Sequence, residues 1–295
     1  MILVTGATGQ FGYKAIDHLL NKGVKSSQIA ALVRDGAKAT DLKDKGIELR
    51  TGDYTDFDSL VSSFQGIDKL LLVSSNDRGA VENRTTQHHN AIKAAKEAGI
   101  KHIVYTSFAR KPNYEESAIA AFQNSHVQTE NFLKSSGIDH TILQNGIYME
   151  MIPVFAGSKL TETGLILFPA QQGKAGWVLR EELAEAAAYV LTTGGHENKT
   201  YPLVNTESVS FTEIAKELSA VSGKEVQYQS PSISEFEAIL KQAGVPDLYI
   251  GMFTMWATAE AQGALNMEDE TLASFLGRKP VTVRQFLHSV YGLQG

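Results

Sequence analysis

A short apolar run opens the chain and leads directly into a glycine-rich turn. Residues 2–5 read as a buried strand, and the following residues have the spacing G-x-x-G-x-x-G. Apolar residues then recur on one helical face until Gly23, a typical helix stop. Strand, glycine turn and helix in this order are typical of dinucleotide sites, where the backbone approaches a pyrophosphate and the helix N-terminus faces its charge. The predicted cofactor contacts here are Gly6, Thr8, Gly9, Gln10, Phe11 and Gly12. An ordinary glycine-rich turn without a ligand is the alternative.

Composition narrows the class of partner. The 295 residues, 43% of them hydrophobic, suffice for a nucleotide-binding domain and a smaller lobe. A formal net charge of −6 argues against nucleic acid, no apolar run reaches the ~20 residues of a membrane span, and a small-molecule partner is therefore expected. There is no cysteine and no metal-binding histidine spacing, so no metal is expected. Because Met1 adjoins the first strand, we expect no targeting leader and a cytoplasmic location; a homodimer stays open.

Short apolar runs alternate with amphipathic stretches through the first 150 residues, which is typical of βαβ units on a parallel sheet. The predicted strands are 2–5, 29–33, 47–50, 70–73, 102–106 and 141–143, and the predicted helices include 84–98, 181–191 and 210–221. In the first of these helices His88 shares one face with Ala91, Ile92 and Ala95, and in the last Ser210 is the predicted N-cap with Glu213 three residues on, a capping box. We predict an α/β fold with a Rossmann-type doubly wound parallel sheet in residues 1–150. A smaller, interleaved α/β substrate lobe is predicted in residues 151–295, from which a segment near 200–205 is a candidate to return to the sheet.

The end of the second predicted strand bears on cofactor choice. In this fold the residue about 20 positions past the glycine motif contacts the adenosine ribose, and here it is Arg34, 34 − 12 = 22 positions after Gly12. A guanidinium suits a 2′-phosphate, so NADP(H) is the expected cofactor. The adjacent Asp35 keeps NAD(H) as an alternative, because an inward carboxylate would bind the ribose hydroxyl instead. A solvated Arg34-Asp35 surface pair is a third interpretation.

Polar residues follow other predicted strands at the edge where ligands bind in this fold. Asp53 comes after the third strand and is suited either to an adenine contact or to capping a turn. Further cofactor contacts are predicted at Ser74, Ser75, Asn76, Thr106 and Ser107.

Several segments spread over nearly the whole chain carry a family resemblance: 5–10, 33–34, 52–53, 125–130, 145–148, 178–184 and 222–224. Together they resemble the NmrA-like group of atypical short-chain dehydrogenases, and within it the type 2 NAD(P)H:quinone oxidoreductases and triphenylmethane dye reductases. The resemblance implies NADPH-dependent hydride transfer to a quinone-like or dye-like acceptor. It also implies that Asn145, Gly146 and Ile147 line the nicotinamide, although Asn-Gly alone also predicts a β-turn.

The catalytic pair of ordinary short-chain dehydrogenases is missing. None of the ten tyrosines is followed by a lysine four residues later, and His126 and Glu130 occupy that place in the alignment of helices. In one hypothesis Glu130 orients His126 as a proton donor. We favour the other, in which the pair only stabilises its helix, with Ser125 and Gln128 as a capping box at the helix start.

A flat apolar acceptor needs apolar walls. Phe108 and Tyr148 are the predicted substrate contacts, because each follows a strand at the ligand edge; Met149 and Met151 are weaker candidates. Residues 109–124 have the polarity of a mobile lid. A helix predicted after Pro246 carries large apolar residues that are more typical of a core or a subunit interface: Tyr249, Met252, Phe253, Met255 and Trp256.

Two functions remain in competition. The first is a reductase of electron-poor acceptors, which needs positioning rather than a protein acid. The second is a nonenzymatic NAD(P)-binding redox sensor, and the missing Tyr-x-x-x-Lys motif is compatible with both. A sugar-nucleotide epimerase on the same fold is a weaker third interpretation, because such enzymes normally need the missing tyrosine.

Overall fold

The computed structural model describes residues 1–75, 80–157 and 160–292, so Asn76 lies outside the described residues. Its main sheet has seven parallel strands in the order β3-β2-β1-β4-β5-β6-β9. Their bounds are β1 Ile2–Val4, β2 Ile29–Val33, β3 Glu48–Thr51, β4 Lys69–Leu72, β5 His102–Phe108, β6 Asp139–Asn145 and β9 Lys199–Leu203. The order of the first six is that of the Rossmann fold, so the predicted fold class is confirmed.

Along the chain, the helices of this part of the molecule come after strands of the sheet, as right-handed crossovers require. They are α1 Gln10–Asn21, α2 Thr40–Asp44, α3 Phe57–Ser63, α4 Ala80–Glu97, α5 Ala120–Ser135 and α8 Arg180–Thr192. All six predicted strands exist, with ends shifted by up to two residues. The largest shifts matter for the site: β5 continues to Phe108 and β6 to Asn145, so Ser107, Phe108 and Asn145 belong to strands rather than to the loops after them.

One cluster of core residues lies on one face of the sheet. Leu3, Leu70 and Ile103 from the central strands are fully buried and pack in one cluster with residues of the neighbouring helices. Those helical residues include Leu60, Phe64, Ala91, Ile92, Ala95 and Leu133. Burying near-continuous apolar strands on both faces is what a parallel sheet covered by helices requires.

The chain divides into two compact units. The first comprises Met1–Phe108, Phe122–Asn145 and Arg180–Leu203, and the second comprises Ala109–Ala121, Gly146–Leu179 and Val204–Gly295. The segment predicted to return to the sheet does so as β9. Compactness alone does not establish independently folding domains, so the limits 1–150 and 151–295 stay a proposal.

The second unit contains two small sheets. β7 Leu165–Leu167 pairs in parallel with β11 Gln227–Gln229, and β8 Lys174–Ala175 pairs antiparallel with β10 Val209–Ser210. Its helices are α6 Ile152–Ala156, α7 Leu160–Thr163, α9 Phe211–Ser222, α10 Ile233–Gln242, α11 Asp247–Ala261, α12 Thr271–Leu276 and α13 Val283–Tyr291. A stacked pair of rings, Phe155 and Phe168, with centroids 4.9 Å apart, lies at its core beside the fully buried Trp177.

Two local predictions about helix starts had opposite outcomes. The capping box of Ser210 and Glu213 is confirmed at the start of α9. The capping box of Ser125 and Gln128 is wrong, because α5 begins at Ala120 and both residues lie inside it. The last five residues of the predicted lid, 109–124, form the start of that helix. The mobility of the lid stays a prediction. Across residues 1–75, 80–157 and 160–292, no helix combines the length and apolarity of a membrane span.

Candidate cofactor-binding site

The glycine turn between β1 and α1 depends on two of its glycines for shape. Gly6 has φ +58°, in the left-handed region, and its carbonyl oxygen accepts a hydrogen bond of 2.9 Å from the Gly9 N–H. A Cβ on Gly12 would lie 2.4 Å from that same oxygen, which no side chain tolerates. Gly9 itself has extended backbone and provides no side-chain cap for α1. The first amides of α1 thus follow a turn in which positions 6, 9 and 12 have no side chain, as a phosphate cradle requires.

Arg180 brings a positive charge to this turn. It is the first residue of α8, and its Nη1 donates to the side-chain oxygen of Gln10, the first residue of α1. The carboxylate of Glu181, the next residue of α8, lies 3.5 Å from the Lys14 ammonium. The first turn of α1 contains no acidic residue. A cation at a helix N-terminus is unfavourable by itself, so an anion bound there would be stabilised by both the amides and the guanidinium.

Arg34 directly follows β2 and is exposed, whereas Asp35 is engaged locally. The Asp35 carboxylate accepts a 3.0 Å hydrogen bond from the Ala37 N–H and caps a short 3₁₀ turn. Asp53 likewise accepts from the N–H and the hydroxyl of Thr55, at 2.8 and 2.6 Å, in a turn after β3. The hydroxyl bond from Thr55 lowers the pKa of Asp53, and the positive charge of Arg34 lowers it further. Both carboxylates therefore serve turns, and contacts of either with a cofactor stay predictions.

Side chains, rather than further strand pairing, hold the backbone where β4 ends. The Val73 N–H donates to the Thr5 hydroxyl at 2.8 Å, and the Tyr54 hydroxyl donates to the Val73 carbonyl oxygen at 2.8 Å. The Ser74 N–H donates to the Thr106 hydroxyl of β5, also at 2.8 Å. Three strands and the turn after β3 are thereby tied together at their carboxyl ends.

Ser75 is held by two side chains of α4 that the sequence did not single out as site residues. Its N–H donates to His88 Nε2 at 3.0 Å, and its carbonyl oxygen accepts from Arg84 Nε and Nη2 at 3.2 and 3.1 Å. The Ser75 hydroxyl, by contrast, is buried and has no hydrogen-bond partner within the described ranges. The available signal was the predicted placement of His88 on the apolar face of its helix, where a histidine must find a polar partner.

His88 is neutral in the folded chain. Because Nε2 accepts from a backbone N–H, the ring proton is on Nδ1, which lies 3.1 Å from the Thr129 hydroxyl. Burial, reinforced by the positive charge of Arg84, lowers the pKa of His88 to about 3. A protonated ring would lose the Ser75 hydrogen bond.

Glu130 and His126, the alternative catalytic pair, are both buried in α5. Glu130 accepts from the Ser107 hydroxyl at 2.5 Å and from the Gln144 amide at 3.3 Å. His126 Nδ1 lies 2.8 Å from the Tyr105 hydroxyl, whose pKa burial raises, so that this phenol stays protonated. These bonds connect α5 to β5 and β6. Whether the pair also donates a proton stays a prediction.

The end of β6 carries a second buried polar side chain with unmet hydrogen-bonding capacity. Asn145 is 2% exposed, and neither atom of its amide has a hydrogen-bond partner among the described residues. Buried amides in native proteins are almost always paired, so a ligand is a natural partner. Gly146 follows in the second unit, where a Cβ would lie 3.0 Å from the Gly176 carbonyl oxygen and 3.2 Å from Val178. A side chain at this position would therefore be tightly packed.

The predicted acceptor walls differ in exposure. Phe108 is 9% exposed and packs edge-on against Phe122 at a centroid distance of 5.1 Å. Ile147 is buried, and Tyr148 is half-buried and forms an isolated parallel bridge with Val178. The five large apolar residues of α11, for which we favoured a core or a subunit interface, are not fully buried: Tyr249 is 49% exposed and the others are half-buried. The interface stays a prediction. The buried side of α11 instead carries Ile250, Thr254, Ala257, Ala259 and Glu260.

Comparison with known proteins identifies relatives along the whole chain. The model of the NmrA-like family matches residues 1–287. Quinone oxidoreductase 2 of Escherichia coli strain K12 is 38% identical over 293 residues, 99% of each chain. The structure of the Citrobacter sp. triphenylmethane reductase complexed with NADP(H) matches with a TM-score of 0.90 and 40% identity, covering 98% of this chain and 99% of that one. An NADPH-dependent quinone oxidoreductase from Escherichia coli, complexed with NADPH, matches with a TM-score of 0.91 and 39% identity over 99% and 100%.

The buried neutral state of His88 predicts a specific acid sensitivity. A histidine whose folded pKa lies below its unfolded value of 6.5 contributes stability above pH 6.5 that is lost as the pH falls toward the folded value. Between pH 7 and 5 this loss amounts to about 2 kcal/mol for one such group. We expect His88→Gln to remove that part of the pH dependence, measured by urea unfolding at both pH values. The exposed His288→Gln is the matched control. An unchanged pH dependence in His88→Gln would contradict the assignment.

Proposed function

This chain belongs to the NmrA-like family, and we propose that it is an NADPH-dependent reductase that transfers hydride to a quinone-like or dye-like acceptor. The observation that carries the proposal is the similarity along nearly the full length to a quinone oxidoreductase and a triphenylmethane reductase, both with NADP(H) in their structures. The local geometry supports the same cofactor, because a glycine-rich turn follows β1, and two buried side chains at or after the ends of β4 and β6 have polar atoms without a hydrogen-bond partner among the described residues.

The residues fit a dinucleotide in three parts. We assign the pyrophosphate to the glycine turn of residues 6–12 with Arg180 beside it, and the 2′-phosphate to Arg34. The unpaired groups of Ser75 and Asn145 supply a hydroxyl and an amide for the remainder of the cofactor. The other proposed contacts are Asp53, Ser74, Thr106, Ser107, Gly146 and Ile147, with Phe108 and Tyr148 for the acceptor.

When bound, the nicotinamide supplies the hydride, and this chain supplies binding and orientation. A quinone becomes a hydroquinone by gaining one hydride and one proton, whereas a cationic dye needs the hydride alone. Because Glu130 and His126 bond to strands β5 and β6, we assign the proton of the quinone reaction to water rather than to this pair. An electron-poor acceptor makes such a mechanism sufficient, since holding the reactants together supplies much of the rate.

The decisive experiment is steady-state oxidation of NADPH with a soluble benzoquinone and with a cationic triphenylmethane dye. Turnover with either supports a reductase. Tight NADPH binding without turnover on any member of an acceptor panel would favour the nonenzymatic redox sensor.

We also propose a cytoplasmic location, with no nucleic-acid partner. Size-exclusion chromatography with light scattering tests the homodimer.

Arg34 and Arg180 are expected to act on different parts of the cofactor. Arg34→Gln should weaken NADPH binding about tenfold to a hundredfold and leave NADH unchanged, because only NADPH carries the 2′-phosphate. Arg180→Gln should weaken both cofactors by a similar factor, because both carry the pyrophosphate. Titration of each variant with both cofactors measures the effect, with the exposed Lys279→Gln as a charge-matched control. Equal affinities of the unaltered chain for NADPH and NADH would contradict the role of Arg34.

Gly9 and Gly12 are expected to fail in different ways. Gly9→Val fits the extended backbone, with its Cβ 3.2 Å from the Gly6 carbonyl oxygen, and should leave the fold largely intact while abolishing NADPH binding. Gly12→Ala forces the turn apart and should also lower the melting temperature. Circular dichroism and cofactor titration separate the two outcomes. Tight binding by a folded Gly9→Val variant would show that the turn is not the phosphate cradle.

His126→Ala tests whether the protein supplies a proton. We expect kcat to fall less than tenfold at saturating NADPH and benzoquinone, whereas losing a general acid typically costs about 10² to 10⁴. Tyr105→Phe, which removes the partner hydroxyl of His126, should also stay within tenfold. A loss above a hundredfold in His126→Ala, at unchanged cofactor affinity, would give the histidine a catalytic role.

A further inference from the structure

Ser75 is the one residue at the end of β4 whose backbone is fully held by buried side chains while its own hydroxyl is left unpaired among the described residues. We propose that Arg84 and His88 are positioning residues, which fix the Ser75 backbone so that its hydroxyl is presented to the bound dinucleotide. The inference rests on the proposed function and adds two residues of α4 that do not themselves touch the cofactor.

The His88 contact has a fixed direction. The Ser75 N–H can only donate, so His88 Nε2 accepts and Nδ1 carries the proton toward the Thr129 hydroxyl, which in turn donates to the Ser125 carbonyl oxygen at 3.0 Å. The His88 ring also packs edge-on against the Tyr105 ring, with 5.3 Å between the centroids. The imidazole therefore has one position and one tautomer, and the amide that it holds has one position as well.

Arg84 fixes the other end of the same residue. Two of its N–H groups converge on the Ser75 carbonyl oxygen, and Nη1 donates to the Ser125 hydroxyl at 2.8 Å. The guanidinium lies 4.9 Å from the centre of the Phe122 ring and is buried. A planar fork with three engaged N–H groups is something that lysine cannot reproduce. Arg84 of α4 thus connects Ser75 to Ser125 of α5, which lies 41 residues after Arg84 in the sequence.

The unpaired hydroxyl indicates what this rigidity is for. A buried hydroxyl without a partner is unfavourable, and the cost is repaid when a ligand offers a donor or an acceptor. Ser75 follows β4, which pairs directly with β1, the strand that leads into the glycine turn. A ribose hydroxyl or a phosphate oxygen of the dinucleotide has the matching chemistry. Holding the backbone in advance means that binding does not have to order this residue, which strengthens affinity.

A double-mutant cycle on NADPH affinity tests the proposal. Ser75→Ala should raise the Kd about tenfold, and His88→Leu, which removes the acceptor, should raise it by a similar or larger factor. The double variant should bind no worse than the weaker-binding single variant, because both changes disable the same contact. His88→Gln keeps an acceptor and should stay within threefold of the unaltered chain. The neighbouring His89→Leu, whose ring stacks on Phe132, is the matched control and should leave the Kd unchanged.

The outcomes separate this inference from the proposed function. If the unaltered chain binds NADPH but Ser75→Ala binds equally well, the hydroxyl is not a contact and the inference fails alone. If the effects of His88→Leu and Ser75→Ala on the Kd multiply in the double variant, His88 acts only on general stability, and the positioning role is overturned. Should His88→Leu not fold, Arg84→Lys replaces it in the cycle, because it keeps the charge and loses the fork. If the unaltered chain does not bind NADPH, the proposed function itself fails.

Discussion

Parallel strands stop at a common edge with backbone groups that the sheet can no longer pair, and in this chain buried side chains supply the missing partners. The hydroxyl of Thr5 accepts from Val73, and the hydroxyl of Thr106 accepts from Ser74. Buried backbone groups must be paired somewhere, so each such bond replaces one that a longer strand would have made. These hydrogen bonds hold the backbone at the edge without extending the strands. Such an edge combines a fixed backbone with room for a ligand.

This solution determines the composition of the helices behind the edge. α4 and α5 bury Arg84, His88, His126 and Glu130, four side chains that are rarely fully buried unless paired. In an ordinary short-chain dehydrogenase the corresponding face of α5 presents the catalytic tyrosine and lysine. Here Glu130 holds the Ser107 hydroxyl, and His126 meets the Tyr105 phenol. Both side chains thus connect this face of α5 to β5.

The sequence was informative where the determining forces are local. Apolar runs bounded by glycine located all six predicted strands, and Ser210 with Glu213 marked the start of α9 correctly. The error at Ser125 has a long-range cause. Its serine resembles an N-cap, yet the hydroxyl accepts from Arg84, 41 residues away, and the helix begins five residues earlier. Likewise, the large apolar residues of α11 resembled a core or an interface, but the buried side of the helix carries Thr254 and Glu260. Pattern alone does not show which face of a helix with apolar residues on several sides is covered.

Two arginines of the first unit differ in burial. Arg34 is exposed directly after the end of β2. Arg84 is buried, and its N–H groups are engaged with the Ser75 carbonyl and the Ser125 hydroxyl. Removing a buried partner leaves polar groups unpaired, which costs far more than losing a solvated charge. In the proposed assignment, the 2′-phosphate contact thus belongs to an exposed residue, whereas the Ser75 backbone is held by a buried one.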